Sequence, residues 1–272
     1  MRRMSDTTQT GPYFVDEGRG ETVVLLHAFP LDGTMWDAER AELSQSRRVV
    51  VPDLRGFGRS GTLEPPQSLD EHADDVVRIL DDLGIERATV AGLSMGGYIA
   101  FALARRHPQR LTRLILADTR AAPDSPEGQR ARDENIALVA RDGVAALVER
   151  LLPKLLSATA SPEVVARVRA LGGRQTAAGL MSALAAMRDR PDSTPLLAGI
   201  AVPSLVIVGE ADAISPPAEA RAIAAALPAG ELAVIAGAGH LSNLESPPAF
   251  LGAMRQFLKS ADLDLPMPRL RQ

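Results

Sequence analysis

The stretch Gly92-Leu93-Ser94-Met95-Gly96-Gly97 restricts what this chain can fold into more than any other. It follows Arg87-Ala88-Thr89-Val90-Ala91, a short apolar run that reads as a buried strand. It leads into Tyr98-Ile99-Ala100-Phe101-Ala102-Leu103-Ala104-Arg105-Arg106, which reads as a helix. A Ser with Gly two residues to either side, between strand and helix, is the pattern of a nucleophile elbow. The turn forces the Ser backbone into a strained conformation, and a Cβ at Gly92 or Gly96 would crowd it. The helix that follows aims free N–H groups at negative charge developing beside the Ser. The plainer alternative is a tight turn whose Ser caps the helix.

The flanking sequence supplies the rest of a sheet. Thr22-Val23-Val24-Leu25-Leu26 is a continuous apolar run, as in a strand covered on both faces. Arg48-Val49-Val50-Val51, residues 111–117, Pro203-Ser204-Leu205-Val206-Ile207-Val208 and residues 231–235 read as further strands. Tyr13-Phe14-Val15 reads as an edge strand. Helices are expected over 35–44, 68–83, 216–227 and 247–258. In the second of these, Leu69, Val76, Ile79, Leu80 and Leu83 repeat with helical period. Ser68 and Glu71 make a capping box there, and Gly84 ends the helix. Strand alternating with helix at short spacing implies a mostly parallel sheet with helices on both faces.

That rhythm breaks at Asp118. From Pro123 to Pro195 no strand-like run occurs, and helices are expected over 127–141, 144–156, after Ser161-Pro162-Glu163, and over 176–188. The chain therefore divides into a core domain, residues 1–120 with 196–272, and an all-helical cap, residues 121–195. Residues 1–10 and 262–272 read as a polar tail and an irregular tail.

Composition narrows the chemistry. A net charge of -4 without a basic stripe argues against a nucleic-acid partner. The absence of Cys removes disulfides, thiolate metal sites and a Cys nucleophile. No apolar run approaches a membrane span, and Arg2-Arg3 is not followed by an apolar leader segment. No membrane partner and a cytoplasmic location are the expectations. The His residues are too scattered for a ligand cluster and no Gly loop cradles a phosphate, so neither metal nor cofactor is expected. Nothing in the pattern specifies an oligomeric state.

A Ser hydroxyl needs an adjacent base. Of the 4 His, His240 stands in Gly237-Ala238-Gly239-His240, on a Gly-rich loop after the last strand. His27 reads as ordering the loop His27-Ala28-Phe29-Pro30, His72 as lying on the exposed side of its helix, and His107 as ending the elbow helix. The base needs an acid to fix its tautomer and orientation. Asp212 follows the strand at 203–208; Glu210 and Asp118 are its rivals, and capping of the helix at Ser215-Pro216 is its plainer role. Ser94, Asp212 and His240 all fall at carboxyl ends of strands, in the chain order Ser, Asp, His. Two N–H donors for an oxyanion are expected from Met95 and from Phe29. Trp36, Arg120, Leu180, Met181, Leu184 and Ile214 are candidates to meet a substrate, with core packing or an ion pair as the ordinary alternative. Arg120 would bind a carboxylate; Arg174 and Arg188 carry the same ambiguity.

These segments together resemble the α/β-hydrolase superfamily. The matching pieces are His27-Ala28-Phe29-Pro30, Asp53-Leu54-Arg55-Gly56-Phe57-Gly58-Arg59-Ser60, the Gly92–Gly97 turn, Gly209-Glu210-Ala211-Asp212 and Gly237-Ala238-Gly239-His240. They occur in the superfamily's order. The resemblance implies that the segment from Asp53 to Ser60 is a structural loop beside the site, with Asp53 and Arg59 as an ion pair. Within the superfamily the chain looks like small carboxylesterases and 3-oxoadipate enol-lactonases, although Asp118-Thr119-Arg120 departs from the Asn-Thr-Ala usual in the latter. The expectation is a carboxylic-ester hydrolase acting on a small ester through an acyl-enzyme. A lactone hydrolase, a perhydrolase side activity, and a ligand receptor with slow turnover are the alternatives.

Overall fold

A computed structural model describes residues 3–4 and 11–260 of the chain. Its strands are β1 (Arg3–Met4), β2 (Phe14–Gly18), β3 (Thr22–Leu26), β4 (Arg48–Pro52), β5 (Ala88–Leu93), β6 (Leu111–Ala117), β7 (Ser204–Gly209) and β8 (Gly230–Ile235). They form one sheet in the order β1-β2-β4-β3-β5-β6-β7-β8. β1 and β2 run antiparallel to their neighbours, and every other pairing is parallel. Register levels the carboxyl ends. Leu26 stands opposite Gly92, Leu93 opposite Ala117, and Ala117 opposite Ile207. The loops that leave β3, β5, β6 and β7 therefore start beside one another.

β3, β5 and β7 are buried along their whole length because helices cover both sheet faces. Side chains alternate between two cores, as the strand period of two requires. Val24 and Leu26 face the core under α2 (Leu69–Asp82) and α3 (Met95–Arg106). Val23 and Leu25 face the core under α1 (Asp37–Leu43) and α9 (Pro247–Ser260). The Ser68 hydroxyl accepts the Glu71 N–H at 3.3 Å, so the expected cap forms.

The helices between β6 and β7 are α4 (Pro126–Leu155), α5 (Pro162–Gly173) and α6 (Ala177–Arg188). α4 is interrupted at Gly143, whose φ of 83° is not helical, so it comprises the two helices expected there. Ser161 and Thr176 cap α5 and α6 through hydroxyls that accept N–H groups three residues on. α7 (Pro217–Ala226) and α8 (Ser242–Glu245) complete the set.

Three expectations change. The strand at Phe14–Gly18 is not at the edge, because Arg3–Met4, read as tail, pairs with it. The remaining residues of both tails lie outside the described residues. His72 is buried, not exposed. It follows Leu69 by three positions and so shares that residue's face, and burial lowers its pKa to about 3. Finally, the Asp53 carboxylate accepts backbone N–H groups of Gly33 and Arg59, both at 2.8 Å, while the Arg59 guanidinium lies over the Tyr13 ring. Asp53 thus fixes its loop through main chain rather than an ion pair.

Candidate active site

Ser94 sits at the step from β5 to α3 with φ 55° and ψ −111°. The glycines around it are required by space. A Cβ at Gly92 would lie 2.1 Å from the Gly96 carbonyl oxygen, and one at Gly96 would lie 2.2 Å from that of Leu26. The Ser94 hydroxyl does not cap the helix. It lies 2.8 Å from Nε2 of His240 instead.

His240 is buried on the loop between β8 and α8. Its Nδ1 lies 2.8 Å from Oδ2 of Asp212. A carboxylate only accepts, so Nδ1 carries the proton and Nε2 is free to accept from Ser94. Asp212 is built to remain ionised. Its Oδ1 accepts the N–H groups of Ile214 (2.8 Å) and Ser215 (2.9 Å), and its Oδ2 accepts the Ser215 hydroxyl (2.7 Å). Burial alone would raise its pKa. The hydrogen bond from His240, with the Ser215 contacts, outweighs burial and holds it below the usual Asp value.

The rivals are placed elsewhere. The Glu210 carboxylate accepts the Gly237 N–H at 3.0 Å and is exposed. Asp118 is fully buried, and its oxygens accept from Gly209 and Ser242. His107 pairs with Asp74 at 2.8 Å. His27 accepts the Leu54 N–H through Nε2 (3.1 Å) and donates through Nδ1 to the Ala28 carbonyl (3.1 Å), which orders the loop carrying Phe29. The Phe29 ring packs edge-on against Phe57. Met95 is the first residue of α3, where N–H groups have no intrahelical acceptor.

Phe29, Met95, Leu180 and Leu184 share one buried cluster, with Met181 packed against it. Three expected substrate contacts make other contacts. Trp36 is fully buried in the other core, 5.8 Å from Phe250 between ring centroids, because its size and apolar surface are satisfied between α1 and α9. Ile214 also packs toward that core. Arg120 forms an ion pair with Glu219 on α7, Nε to Oε2 at 3.1 Å, without hydrogen-bond geometry. Arg174 grips Asp32 through Nε (2.7 Å) and Nη2 (2.6 Å), and Gln175 donates to the same carboxylate at 2.9 Å.

Residues that sequence reasoning did not single out also take part. The Ser215 hydroxyl contacts both Asp212 and Nδ1 of His240, the latter at 3.2 Å. Thr119 donates to the Ser94 carbonyl at 2.9 Å. An Asp followed three positions later by Ser, just ahead of a Pro, was a usable signal for the first; nothing local signals the second. Among the described residues no group of His, Cys, Asp and Glu is placed to hold a metal ion. Among them, too, no helix is long and apolar enough to cross a membrane.

Leveled strand ends, an elbow and an inserted set of helices define a class of enzymes. A family model described as the alpha/beta hydrolase fold matches residues 21–247. The chain belongs to the alpha/beta-hydrolase superfamily, a family of hydrolases. It is 41% identical to a thermophilic esterase from Thermogutta terrifontis whose structure was solved with malate bound; the match covers 96% of this chain and 98% of that one, with a TM-score of 0.89. It is 32% identical to the enol-lactonase from Burkholderia xenovorans LB400, over 90% of this chain and 95% of that one, with a TM-score of 0.84. It is 30% identical to 3-oxoadipate enol-lactonase 2 of Acinetobacter baylyi, over 83% of this chain and 84% of that one.

Proposed function

We propose that the protein hydrolyses carboxylic esters through an acyl-enzyme, with Ser94 as nucleophile, His240 as general base and acid, and Asp212 as the group that orients His240. The observation that carries this reading is the continuous contact from Ser94 Oγ to His240 to Asp212, 2.8 Å at each step. Ser94 Oγ bonds to the ester carbonyl carbon as its proton passes to Nε2 of His240. The carbonyl oxygen becomes an oxyanion, held by the N–H groups of Met95 and Phe29. The carbon–alkoxy bond then breaks, and His240 returns the proton to the leaving alcohol. Water attacks the acyl-enzyme in turn, losing its proton to His240, and the acid leaves as Ser94 is restored. The helices of residues 121–195 act as a cap over this site, and Leu180, Met181 and Leu184 on α6 offer apolar surface to the acyl group.

The alternative substrate is a lactone bearing a carboxylate, a class suggested by the names of two relatives. The esters are favoured because two of the three arginines suited to hold that carboxylate are hydrogen-bonded within the protein, Arg174 to Asp32 and Arg188 to Asp133, and Arg120 faces the Glu219 carboxylate. A panel of p-nitrophenyl esters against neutral and anionic lactones separates the two. Neutral esters are expected to have the higher kcat/KM, and Arg120→Ala to leave them unchanged. A clear preference for anionic lactones, with KM for them alone raised in Arg120→Ala, would reverse the assignment.

A further inference from the structure

The Asp118-Thr119 step lies at the end of β6 and has no place in the mechanism above, yet it touches the loops of all three reacting residues. Thr119 Oγ1 donates to the Ser94 carbonyl at 2.9 Å. One residue before the pair, the Ala117 carbonyl accepts the Ser94 N–H at 2.8 Å, so the strained serine is gripped on both sides. Asp118 Oδ1 accepts the N–H of Gly209, which begins the loop to Asp212, at 2.8 Å. Asp118 Oδ2 accepts the hydroxyl of Ser242 (2.5 Å), two residues beyond His240, and also faces its N–H (3.4 Å).

Both residues are buried, and Asp118 takes φ 45°, a left-handed conformation that side chains other than Gly rarely adopt. That conformation turns the Asp118 side chain toward β7 and α8 while Thr119 points to the elbow. The contact with the elbow is close: a Cβ on Gly97 would lie 2.5 Å from Thr119 Oγ1, which accounts for the second Gly of the Gly96-Gly97 pair. A fully buried carboxylate is costly unless its oxygens are satisfied. Here its two oxygens meet Gly209 and Ser242, while burial, and then the nearby charge of Asp212, push its pKa well up.

We propose that Asp118 and Thr119 are positioning residues: a single dipeptide that sets the nucleophile, the acid loop and the base loop in register. The proposal rests on the reading of Ser94, Asp212 and His240 as the reacting groups. Both residues are buried and act through the loops they hold, so their loss should slow chemistry and leave substrate binding intact. Misplacement of reacting groups by about 1 Å can cost on the order of a hundredfold in rate, and smaller shifts less.

The test compares Thr119→Val, Thr119→Ser and Asp118→Asn in the full chain with a short-chain p-nitrophenyl ester. Thr119→Val is expected to lower kcat roughly tenfold with KM within about twofold, and to slow fluorophosphonate labelling by the same factor. Thr119→Ser, which keeps the hydroxyl, should restore both rates. Asp118→Asn should lower kcat by a similar or larger factor, again with KM held. Equal kcat in wild type and Thr119→Val overturns the proposal, as does equal loss in the Ser and Val variants. If Asp118→Asn fails to fold, the Thr119 pair decides the matter alone. Ser94→Ala serves as the control: undiminished turnover in that variant would remove the nucleophile itself, an outcome distinct from normal rates in the Thr119 variants.

Discussion

A Ser hydroxyl is a weak nucleophile until a base takes its proton, and the base works only in one tautomer. In the proposed mechanism Asp212 imposes that tautomer on His240, and the Asp212 carboxylate accepts from Ser215 and from two backbone N–H groups. Asp212→Asn offers an amide at the same place, which can donate to Nδ1 and so leaves the proton on Nε2, pointing the wrong way. We expect kcat to fall by roughly a thousand- to ten-thousandfold while folding is retained, checked by steady-state kinetics beside circular dichroism. A loss under tenfold would mean that another acid orients the base. At this scale the sequence is uneven. Ser94, Asp212 and His240 are legible because each is fixed by a local pattern: an elbow with steric demands, or a polar residue just past an apolar strand. Trp36 and Arg120 are not, because a large apolar residue or a cation does not state which neighbour satisfies it. Phe250 and Glu219, far along the chain, decide that.

Elements carry their own consequences. On α1, Glu39 is buried in the core, and burial raises its pKa to about 7. Its ordinary value is 4.5, so the folded state holds this proton more tightly than the unfolded chain does. Between these values stability falls as pH rises, and the penalty is complete above about pH 7, at most about 3 kcal/mol. Glu39→Gln removes the charge. Its thermal midpoint is expected to match wild type near pH 5 and to exceed it by several degrees at pH 8; a constant difference across that range would contradict the assignment. The loop after β3 and the corner between α5 and α6 meet at Asp32, whose pKa is lowered to about 2 because the bonds from Arg174, Thr34 and Gln175 outweigh burial. This stabilisation is present above pH 4 and is lost as pH falls through 2. Arg174 is half-exposed, so Arg174→Ala should cost only about 1 kcal/mol at neutral pH in urea denaturation. Faster hydrogen exchange over residues 171–176 should accompany it, and unchanged exchange would show that the corner is held by other contacts. Helix periodicity and caps were legible for these elements. The contacts between α5, α6 and the β3 loop were not, since they join residues 142 positions apart and have no local signature.

The molecule as a whole is an arrangement for bringing four strand ends to one level and setting helices beyond them. Parallel pairing in register is what makes residues from 94, 118, 212 and 240 neighbours. Alternation of strand and helix made that sheet legible, and the break at Asp118 marked where helices enter. The pairing of Arg3–Met4 was not legible, because two residues carry no period. Everything proposed for function depends on Ser94 being an activated nucleophile. The direct measurement is intact-protein mass spectrometry with peptide mapping after fluorophosphonate treatment of wild type and Ser94→Ala. A single adduct on Ser94 is expected in the wild type and none in the variant. A folded wild-type protein that takes no adduct, or takes it at another residue, would contradict it.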